Sequence, residues 1–571
     1  MPKYPKKELA QLLLQTCAAH GIEKVVISPG SRNAPLTLGF VNHPDIKTFS
    51  IVDERSAAFF ALGMAQQDQK TVALLCTSGS ALLNYYPAIA EAYYSRIPLL
   101  ILSADRPKHL IDIGYGQTIR QEAVFSNHIC FETCLIEEGK GTQPSGDDLQ
   151  KVNGINIKKA LTVAKDRMGP VHINIPFAEP LYETVSELYD FTDSLIKQAS
   201  IATESLLDET SWAVSELEKF ASKWNRSPKK MVLIGSLFPD ELIQIQMDHL
   251  IKDPSVIILT ETISNIHGAH FIDHIDQLIF PLGDKEFNEL KPDVLLTFGG
   301  MVVSKRIKQF LRNYQPEEHW HIDALGSLDT FDCLSQYFNI SPQLFFSQFF
   351  FLTEQLESSY KKRWLLLKNQ RGLKHKEYLK DIEYSDMSVF DSILNTLPSH
   401  IYLQLANSSV VRYTQLFDMD PSIHVFCNRG TSGIDGSTST ALGAAFTQKK
   451  QTVFITGDVS FFYDSNALWN SYVPQNIRII LVNNSGGGIF RIIPGPKDSD
   501  ALDFFETTHN LNASYLCEMH DFDYHSVNDS SELKTALTSF YVNTGKPALL
   551  EIFTPNQDND RILKDYFEFI K

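Results

Sequence analysis

Residues 71–103 read TVALLCTSGSALLNYYPAIAEAYYSRIPLLILS, and this stretch contains the pattern that decides the fold. Two short apolar runs, Thr71 to Cys76 and Pro98 to Ser103, have the length and composition of buried strands. The segment between them, Ala81 to Arg96, has apolar residues at helical spacing. A strand, a helix and a second strand in this order are typical of a crossover between parallel strands. The stretch therefore predicts a parallel α/β sheet.

The same alternation continues towards the amino terminus, with a strand at Lys24 to Ser28 and a helix around Ser56 to Gln67. Two polar loops, residues 28–33 (SPGSRN) and residues 77–80 (TSGS), follow directly after predicted strands. Open α/β sheets bind ligands at the carboxyl ends of their strands. We therefore expect the two loops to face one cleft.

Two further sheets are predicted downstream. A polar stretch from Tyr182 to Ser227 precedes new strand runs, and a charged helical segment, residues 353–385, precedes a third set. No GxGxxG loop follows a strand of the second domain, which argues against dinucleotide binding by that domain. The chain of 571 residues is also too long for one core. The predicted fold is α/β, with three doubly wound parallel-sheet domains at residues 1–185, 186–355 and 356–571.

The formal net charge of −17 disfavours nucleic acid and anionic membranes as partners. It also requires any site for acidic small molecules to contain its own cluster of basic residues. No apolar run is long enough to span a membrane. The seven cysteines are odd in number and lack paired CxxC spacing, and the amino-terminal segment is amphipathic and unlike a signal peptide, so a cytoplasmic protein is expected.

A candidate metal site lies in the last domain. Asp458, in the run TGDVS (456–460), follows one predicted strand, and Asn484, in VNNSGGG (482–488), follows the next. Together the two runs resemble the thiamine diphosphate fingerprint Gly-Asp-Gly followed by Asn-Asn, although Val459 stands where the last glycine is usual. Their side-chain oxygens and the carbonyl of Gly486 suit Mg²⁺, or Mn²⁺ in its place. The alternative is an ordinary strand end followed by a glycine-rich turn. A helix is expected to begin near Asp464 and point its amino end at the diphosphate.

Glu54 is the candidate acid at the other end of the chain. It follows a predicted strand, in the run IVDERSAA (51–58), and opens an apolar helix. Thiamine chemistry requires a carboxylic acid beside the aminopyrimidine ring, and burial there would favour the protonated form. The alternative is that Glu54 only interacts with the positive end of the helix dipole.

Four segments make the resemblance specific: residues 27–36 (ISPGSRNAPL), 103–107 (SADRP), 407–412 (NSSVVR) and 428–436 (NRGTSGIDG). With residues 299–306 (GGMVVSKR) in the middle of the chain, they resemble the 2-succinyl-5-enolpyruvyl-6-hydroxy-3-cyclohexene-1-carboxylate synthases. The resemblance implies a transferase of menaquinone biosynthesis that decarboxylates 2-oxoglutarate and adds the product to isochorismate. It also implies a pyrimidine-binding domain (1–185), a central domain (186–355) and a diphosphate- and metal-binding domain (356–571).

Residue roles follow from the same resemblance. Arginine suits dicarboxylate substrates because its planar fork binds a carboxylate through two hydrogen bonds. The residues implied for 2-oxoglutarate are Ser408, Arg412 and Arg429. Those implied for isochorismate are Arg32, Arg106, Gln117 and Lys305. The residues implied as catalytic are Glu54, Arg32, Ser408, Arg412 and Arg429. Those implied around the cofactor are Glu54, Gly433, Ile434, Asp458, Ser460, Asn484, Gly486, Ile489 and Phe490.

The resemblance further implies that each cofactor lies between the first domain of one subunit and the third domain of another, in a homodimer or homotetramer. Two other functions remain open at this point. One is a related carboligase or decarboxylase acting on pyruvate, such as an acetolactate synthase. The other is a non-catalytic binding protein that retains the fold.

Overall fold

The computed structural model describes residues 3–137, 145–196, 212–492, 495 and 499–571. The chain divides into two compact units. Unit 1 comprises Met1–Asp208, Gly430–Thr452 and Ser460–Ile477. Unit 2 comprises Glu209–Arg429, Val453–Val459 and Arg478–Lys571. Part of the polar stretch predicted to end the first domain, residues 197–211, lies outside the described residues.

Unit 1 contains a parallel sheet of six strands. In spatial order they are Lys47–Ser50, Lys24–Ile27, Val72–Cys76, Leu99–Asp105, Val171–Pro176 and Phe131–Cys134. The α-helices that lie wholly within it are Glu8–Ala19, Ala34–Asn42, Glu54–Asp68, Ser80–Asn84, Tyr86–Ser95, Gly146–Asp166, Asp193–Ile196 and Ser437–Thr447. The strands and helices predicted in residues 24–105 are therefore present, with bounds shifted by a few residues.

Unit 2 contains a five-stranded parallel sheet in the order Val256–Leu259, Lys230–Ile234, Val294–Phe298, Glu318–Ile322 and Gln336–Phe338. Alternate side chains of its strands enter two separate cores, with Met231 and Leu233 in one and Val232 and Ile234 in the other. Both faces of this sheet are therefore covered, as expected for a doubly wound sheet.

A third sheet has six strands in the order His424–Cys427, Tyr402–Leu405, Thr452–Gly457, Ile477–Asn483, Ala548–Phe553 and Asp523–Val527. The α-helices of unit 2 are Val214–Arg226, Glu241–Leu250, Ile275–Ile279, Asp284–Leu290, Lys305–Asn313, Pro342–Phe349, Tyr360–Tyr378, Asp386–Leu394, Ser409–Thr414, Ile489–Ile492, Leu502–Glu506, Ser514–Met519, Ser530–Phe540 and Asn559–Phe569. Three sheets flanked by helices confirm the predicted α/β fold class. The domain bounds 185/186 and 355/356 stay a prediction.

The charged segment 353–385 contains the helix Tyr360–Tyr378, and Trp364 from this helix packs in a core of the five-stranded sheet. No disulfide joins the seven cysteines, all of which lie in the described ranges. Among the helices described here, none combines the length and the apolar character needed to cross a membrane.

One prediction about a helix is wrong. The helix after the strand Thr452–Gly457 begins at Asp458, and Asp464 lies beyond its last residue, Tyr463. Asp464 is buried and caps a different helix, Ser437–Thr447, because its carboxylate accepts hydrogen bonds from the Ser439 amide (2.7 Å) and hydroxyl (2.8 Å). Burial raises the pKa of Asp464 to about 7.

Candidate active site

The strand order places Asp458 and Asn484 at the ends of neighbouring strands. Asp458 follows Thr452–Gly457, and Asn484 follows the adjacent strand Ile477–Asn483. The carboxylate of Asp458 accepts hydrogen bonds from the amides of Val459 (2.7 Å) and Gly486 (2.8 Å). The loop that carries Asn484 and Gly486 is therefore fastened to Asp458, and all three predicted metal ligands lie together.

The two polar atoms of the Asn484 side-chain amide differ in their hydrogen bonding. Its Nδ2 donates to Asp386 Oδ2 at 3.0 Å, whereas its Oδ1 is buried and finds no hydrogen-bond partner among the residues that the structure describes. A buried oxygen without a partner is costly unless a ligand completes it. The Asp458 carboxylate, Asn484 Oδ1 and the Gly486 carbonyl are hard oxygen donors of the kind that Mg²⁺ prefers. This donor set fits a bound magnesium ion.

Two residues beside this donor set were missed by the sequence analysis. His509 Nε2 lies 3.3 Å from Asp458 Oδ2, and this contact raises the pKa of His509. Burial raises the pKa of Asp386 to about 6, and the nearby Asp458 carboxylate acts in the same direction. Neither residue belongs to a motif, and both are distant in sequence from the residues they contact.

Unit 2 also contains a cavity of about 300 Å³ with basic and apolar walls. Its lining includes three cations, Lys305, Arg306 and Arg412, together with the carboxyl group of Asp276 and the apolar side chain of Ile489. Burial raises the pKa of Asp276, although Arg306 and Arg412 oppose that shift. The cavity thus has the positive character that the acidic chain as a whole lacks.

Ser408 and Arg412 are fixed by the backbone beside this cavity. Ser408 precedes the helix Ser409–Thr414 with a left-handed φ of 70°, which is unfavourable for a serine. Arg412 Nη1 donates to the carbonyl oxygen of Ser408 at 2.6 Å. Burial lowers the pKa of Arg412, and the neighbouring Arg429 lowers it further. Two predicted arginines are therefore close enough to interact electrostatically.

Arg429 is oriented by a hydrogen bond from its Nη1 to Asn407 Oδ1 at 2.7 Å. Glu261, which sequence analysis missed, is a buried carboxyl group near Arg429. It accepts from the amides of Val303 (2.6 Å) and Ser304 (2.7 Å), directly before the helix that starts with Lys305. Burial raises the pKa of Glu261 to about 7, and these hydrogen bonds oppose that shift.

The two residues predicted as an apolar wall differ in their surroundings. Ile489 lines the cavity. Phe490 is not one of its lining residues and packs against Phe505, with ring centroids 5.5 Å apart. Both lie in the short helix Ile489–Ile492.

Glu54 is the first residue of the helix Glu54–Asp68 in unit 1, as predicted. Asp53 caps this helix by accepting from the amides of Arg55 and Ser56. The Glu54 carboxylate is partly exposed, and Asn84 Nδ2 lies 3.4 Å from its Oε2. Among the described residues, no ion pair holds this carboxylate.

The two loops expected to face one cleft do adjoin in unit 1. The amide of Arg32 donates to Thr77 Oγ1 at 3.3 Å. The guanidinium of Arg32 is buried, donates to the Phe177 carbonyl (2.9 Å) and pairs with Glu179 (3.1 Å). Its charge is therefore partly neutralised within this chain.

Arg106 and Gln117 meet at the second of these loops. Arg106 Nη1 donates to Ser78 Oγ (2.6 Å) and to the Gln117 carbonyl (2.5 Å). Gln117 Nε2 donates to the Ser78 carbonyl at 3.1 Å, and Gln117 has a left-handed φ of 58°. Three of the residues predicted for substrate binding, Arg32, Arg106 and Gln117, thus lie on adjoining loops.

Gly433, Ile434 and Ser460 also lie together in unit 1. Ser460 Oγ donates to the Ile434 carbonyl at 3.2 Å. The segment before Gly433 is held by Glu91, a buried residue that sequence analysis missed. Its carboxylate accepts from the amides of Gly430 (2.8 Å) and Thr431 (2.6 Å) and from the Thr431 hydroxyl (2.8 Å).

Glu91→Gln should loosen this segment. Glutamine has the same shape but presents an NH₂ group where several donors converge, so at least one buried donor loses its acceptor. We expect a loss of about 2 kcal/mol in the free energy of unfolding, measured as a lower midpoint of thermal unfolding. Glu23→Gln, at an exposed position of unit 1, is the control and should leave the midpoint unchanged. An unchanged midpoint for Glu91→Gln would contradict the role of Glu91.

The helix that begins with Glu54 crosses the helix Ser437–Thr447 at two glycines. A Cβ atom on Gly63 would lie 2.0 Å from the Thr440 carbonyl oxygen, and one on Gly443 would lie 2.0 Å from the Phe60 carbonyl oxygen. The obstructing atoms are backbone atoms, which cannot rotate away. The two helices can therefore approach this closely only because both positions are glycine.

Three models of thiamine pyrophosphate enzymes match the chain in order. The N-terminal TPP binding domain matches residues 7–124, the middle domain residues 206–405, and the C-terminal TPP binding domain residues 408–552. The chain is 52% identical to a protein of Flavobacterium johnsoniae over 99% of both chains. It is 50% identical to a protein of Christiangramia forsetii over the full length of both. A protein of Porphyromonas gingivalis is 37% identical over 99% of this chain and 98% of its own. All three are named 2-succinyl-5-enolpyruvyl-6-hydroxy-3-cyclohexene-1-carboxylate synthase.

Proposed function

Since this chain belongs to the family of 2-succinyl-5-enolpyruvyl-6-hydroxy-3-cyclohexene-1-carboxylate synthases, we propose that it decarboxylates 2-oxoglutarate and joins the remaining four-carbon fragment to isochorismate. The bond to the carboxyl group next to the keto carbon breaks, CO₂ leaves, and a new carbon–carbon bond forms to the ring. The observation that carries this assignment within the structure is the cavity lined by Lys305, Arg306 and Arg412, which suits dicarboxylates.

Thiamine diphosphate is the cofactor of this family and supplies the electron sink for decarboxylation. We propose that Asp458, Asn484 and the Gly486 carbonyl hold a divalent ion, Mg²⁺ or Mn²⁺, that binds the diphosphate. The support for this is that Asn484 Oδ1 is buried with no hydrogen-bond partner among the described residues, in a loop whose Gly486 amide donates to the Asp458 carboxylate. Gly433, Ile434 and Ser460 would contact the cofactor from the segment that Glu91 holds.

Ser408, Arg412 and Arg429 would bind the substrate that loses CO₂. The pair of arginines repel each other, and that repulsion favours an anion between them. Ile489, in the cavity wall, would exclude water from the reacting carbon, and Phe490 would extend the apolar surface. Arg32, Arg106, Gln117 and Lys305 would bind the carboxylates and hydroxyl of isochorismate. Glu54 would exchange a proton with the aminopyrimidine ring.

The assembly that we propose is a homodimer or homotetramer with composite sites. Exposed apolar side chains surround Glu54: Val52 is 47% exposed, Leu83 lies beside Asn84 at 43%, and Tyr463 stacks on Arg55 at 53%. Large apolar side chains clustered on a surface are typical of an interface. A partner subunit covering this patch would bring its own Asp458 towards Glu54.

A mixed-subunit experiment tests the composite site. Glu54→Gln chains and Asp458→Asn chains, co-expressed with two different tags and purified through both, form heterodimers in which one site carries both changes and the other carries neither. We expect about half of the wild-type activity per heterodimer, although each homodimer is inactive. Heterodimers as inactive as the two homodimers would show that each site comes from a single chain.

The reaction itself is tested with isochorismate, 2-oxoglutarate, thiamine diphosphate and Mg²⁺, with the product identified by its mass and CO₂ release followed. Replacing 2-oxoglutarate by pyruvate separates this function from that of an acetolactate synthase. We expect CO₂ release with 2-oxoglutarate and little with pyruvate, because pyruvate lacks the second carboxylate that the arginines would bind. Preference for pyruvate would contradict the proposal.

A further inference from the structure

Asparagine is an ambiguous metal ligand, because its carbonyl oxygen and its NH₂ group have nearly the same shape and only the oxygen can bind a cation. Something else in the structure must decide which end faces the metal. For Asn484 the deciding contact is the hydrogen bond from Nδ2 to Asp386 Oδ2 at 3.0 Å. An ionised carboxylate accepts hydrogen bonds and never donates them, so it selects the NH₂ end of the amide.

Asp386 is itself held in place from several sides. It is the first residue of the helix Asp386–Leu394 and is 3% exposed. Its second oxygen accepts from Thr554 Oγ1 at 2.6 Å, and its amide donates to Asn559 Oδ1 at 2.8 Å. Thr554 in turn donates its amide to the carbonyl of Asn483, the residue before Asn484. The acceptor for the Asn484 amide is therefore rigid.

With its nitrogen turned to Asp386, Asn484 has its oxygen buried, and no group in the described part of the chain hydrogen-bonds to that oxygen. Asp386 is not itself one of the proposed ligands, and its oxygens accept hydrogen bonds from the neutral groups of Asn484 and Thr554. Two buried carboxylates, Asp386 and Asp458, lie near one amide. A divalent cation beside them would offset their repulsion.

We propose that Asp386 is a positioning residue for the metal site: it orients the Asn484 amide so that Oδ1 faces the divalent ion. This inference rests on the proposed metal ligands Asp458, Asn484 and Gly486. Groups that orient metal ligands in this way change metal affinity by about 10- to 100-fold when they are replaced.

Asp386→Asn tests the proposal, because the new amide can accept or donate and no longer selects one end of Asn484. Thr554 can still donate to the side-chain oxygen that remains. Mg²⁺ is titrated against thiamine diphosphate binding, followed by intrinsic fluorescence, and against turnover. We expect the half-saturating Mg²⁺ concentration to rise about tenfold or more. Saturating Mg²⁺ should restore most of kcat.

Two further measurements separate positioning from a general structural role. The thermal midpoint of the variant without Mg²⁺ or cofactor should equal or exceed that of the wild type, because a buried charge has been removed. Asp391→Asn, on the same helix and paired with Asn395, is the matched control and should leave the Mg²⁺ titration unchanged.

A wild-type Mg²⁺ titration for Asp386→Asn would overturn the role of Asp386 while leaving the metal site intact. A lower thermal midpoint, with a loss of kcat that Mg²⁺ does not restore, would overturn it in favour of a structural role. Cofactor binding by the wild type without any divalent ion would contradict the proposed metal site itself.

Discussion

Glu54→Gln should lower turnover strongly while the protein remains folded. Glutamine has the shape of glutamate but cannot exchange a proton with the aminopyrimidine ring, and a positioned acid or base contributes about 10²- to 10⁴-fold to a rate. We therefore expect kcat to fall by about that factor. The exchange of the cofactor's reactive ring proton with deuterium, followed by NMR, should slow in parallel. The thermal midpoint should stay close to that of the wild type.

The matched control for this experiment is Glu241→Gln. Glu241, like Glu54, is the first residue of a helix and follows an aspartate cap, but it is exposed in unit 2 and belongs to no proposed site. If Glu54 only interacted favourably with the helix dipole, both variants would lose less than about 1 kcal/mol in the free energy of unfolding and would keep their activity. If the activity of Glu54→Gln stayed within tenfold of the wild type, the proposed role of Glu54 as the acid would be wrong.

Asp458→Asn should remove cofactor binding. Asparagine can still accept the hydrogen bond from the Gly486 amide, but it lacks the charge that would bind a divalent cation. A cofactor at 100 times its dissociation constant stabilises the folded protein by about 2.7 kcal/mol. The wild type should therefore show a rise in thermal midpoint with thiamine diphosphate and Mg²⁺, and the variant should show none. The Asp458→Asn variant should also lose turnover, because it no longer binds the cofactor.

Asp521→Asn provides the comparison for this loss of charge. Asp521 lies in the same unit, and its carboxylate pairs with Lys546 in a surface ion pair, which contributes little to stability. We expect the wild-type rise in midpoint for this control. The proposed metal site would be wrong if Asp458→Asn kept the full rise produced by thiamine diphosphate and Mg²⁺ together.

The part of the site that sequence could predict is the part that lies at strand ends. Asp458 and Asn484 each follow an apolar run, and parallel strands bring their carboxyl ends to one edge, so their proximity follows from the pattern. Glu54 could be placed at a helix start for a similar reason. These predictions needed only local periodicity and one rule of topology.

The supporting residues could not be predicted in this way. Asp386 lies 98 positions before the asparagine that it orients, and Glu91 lies 339 positions before the glycine amide that it accepts from. No spacing rule connects residues so far apart. The helix start predicted near Asp464 was wrong for a related reason: this aspartate caps a helix that lies earlier in the chain, and no local pattern shows that contact.

The crossing of Gly63 and Gly443 reverses a common rule of protein engineering. Replacing a helical glycine by alanine usually raises stability, because alanine has less backbone freedom to lose on folding. At this crossing an added methyl group would clash with a carbonyl oxygen of the opposite helix. The same replacement should therefore push the two helices apart. A library of variants that replaces every helical glycine by alanine to raise thermal stability would thus disrupt the packing of the helix that begins with Glu54, the proposed acid.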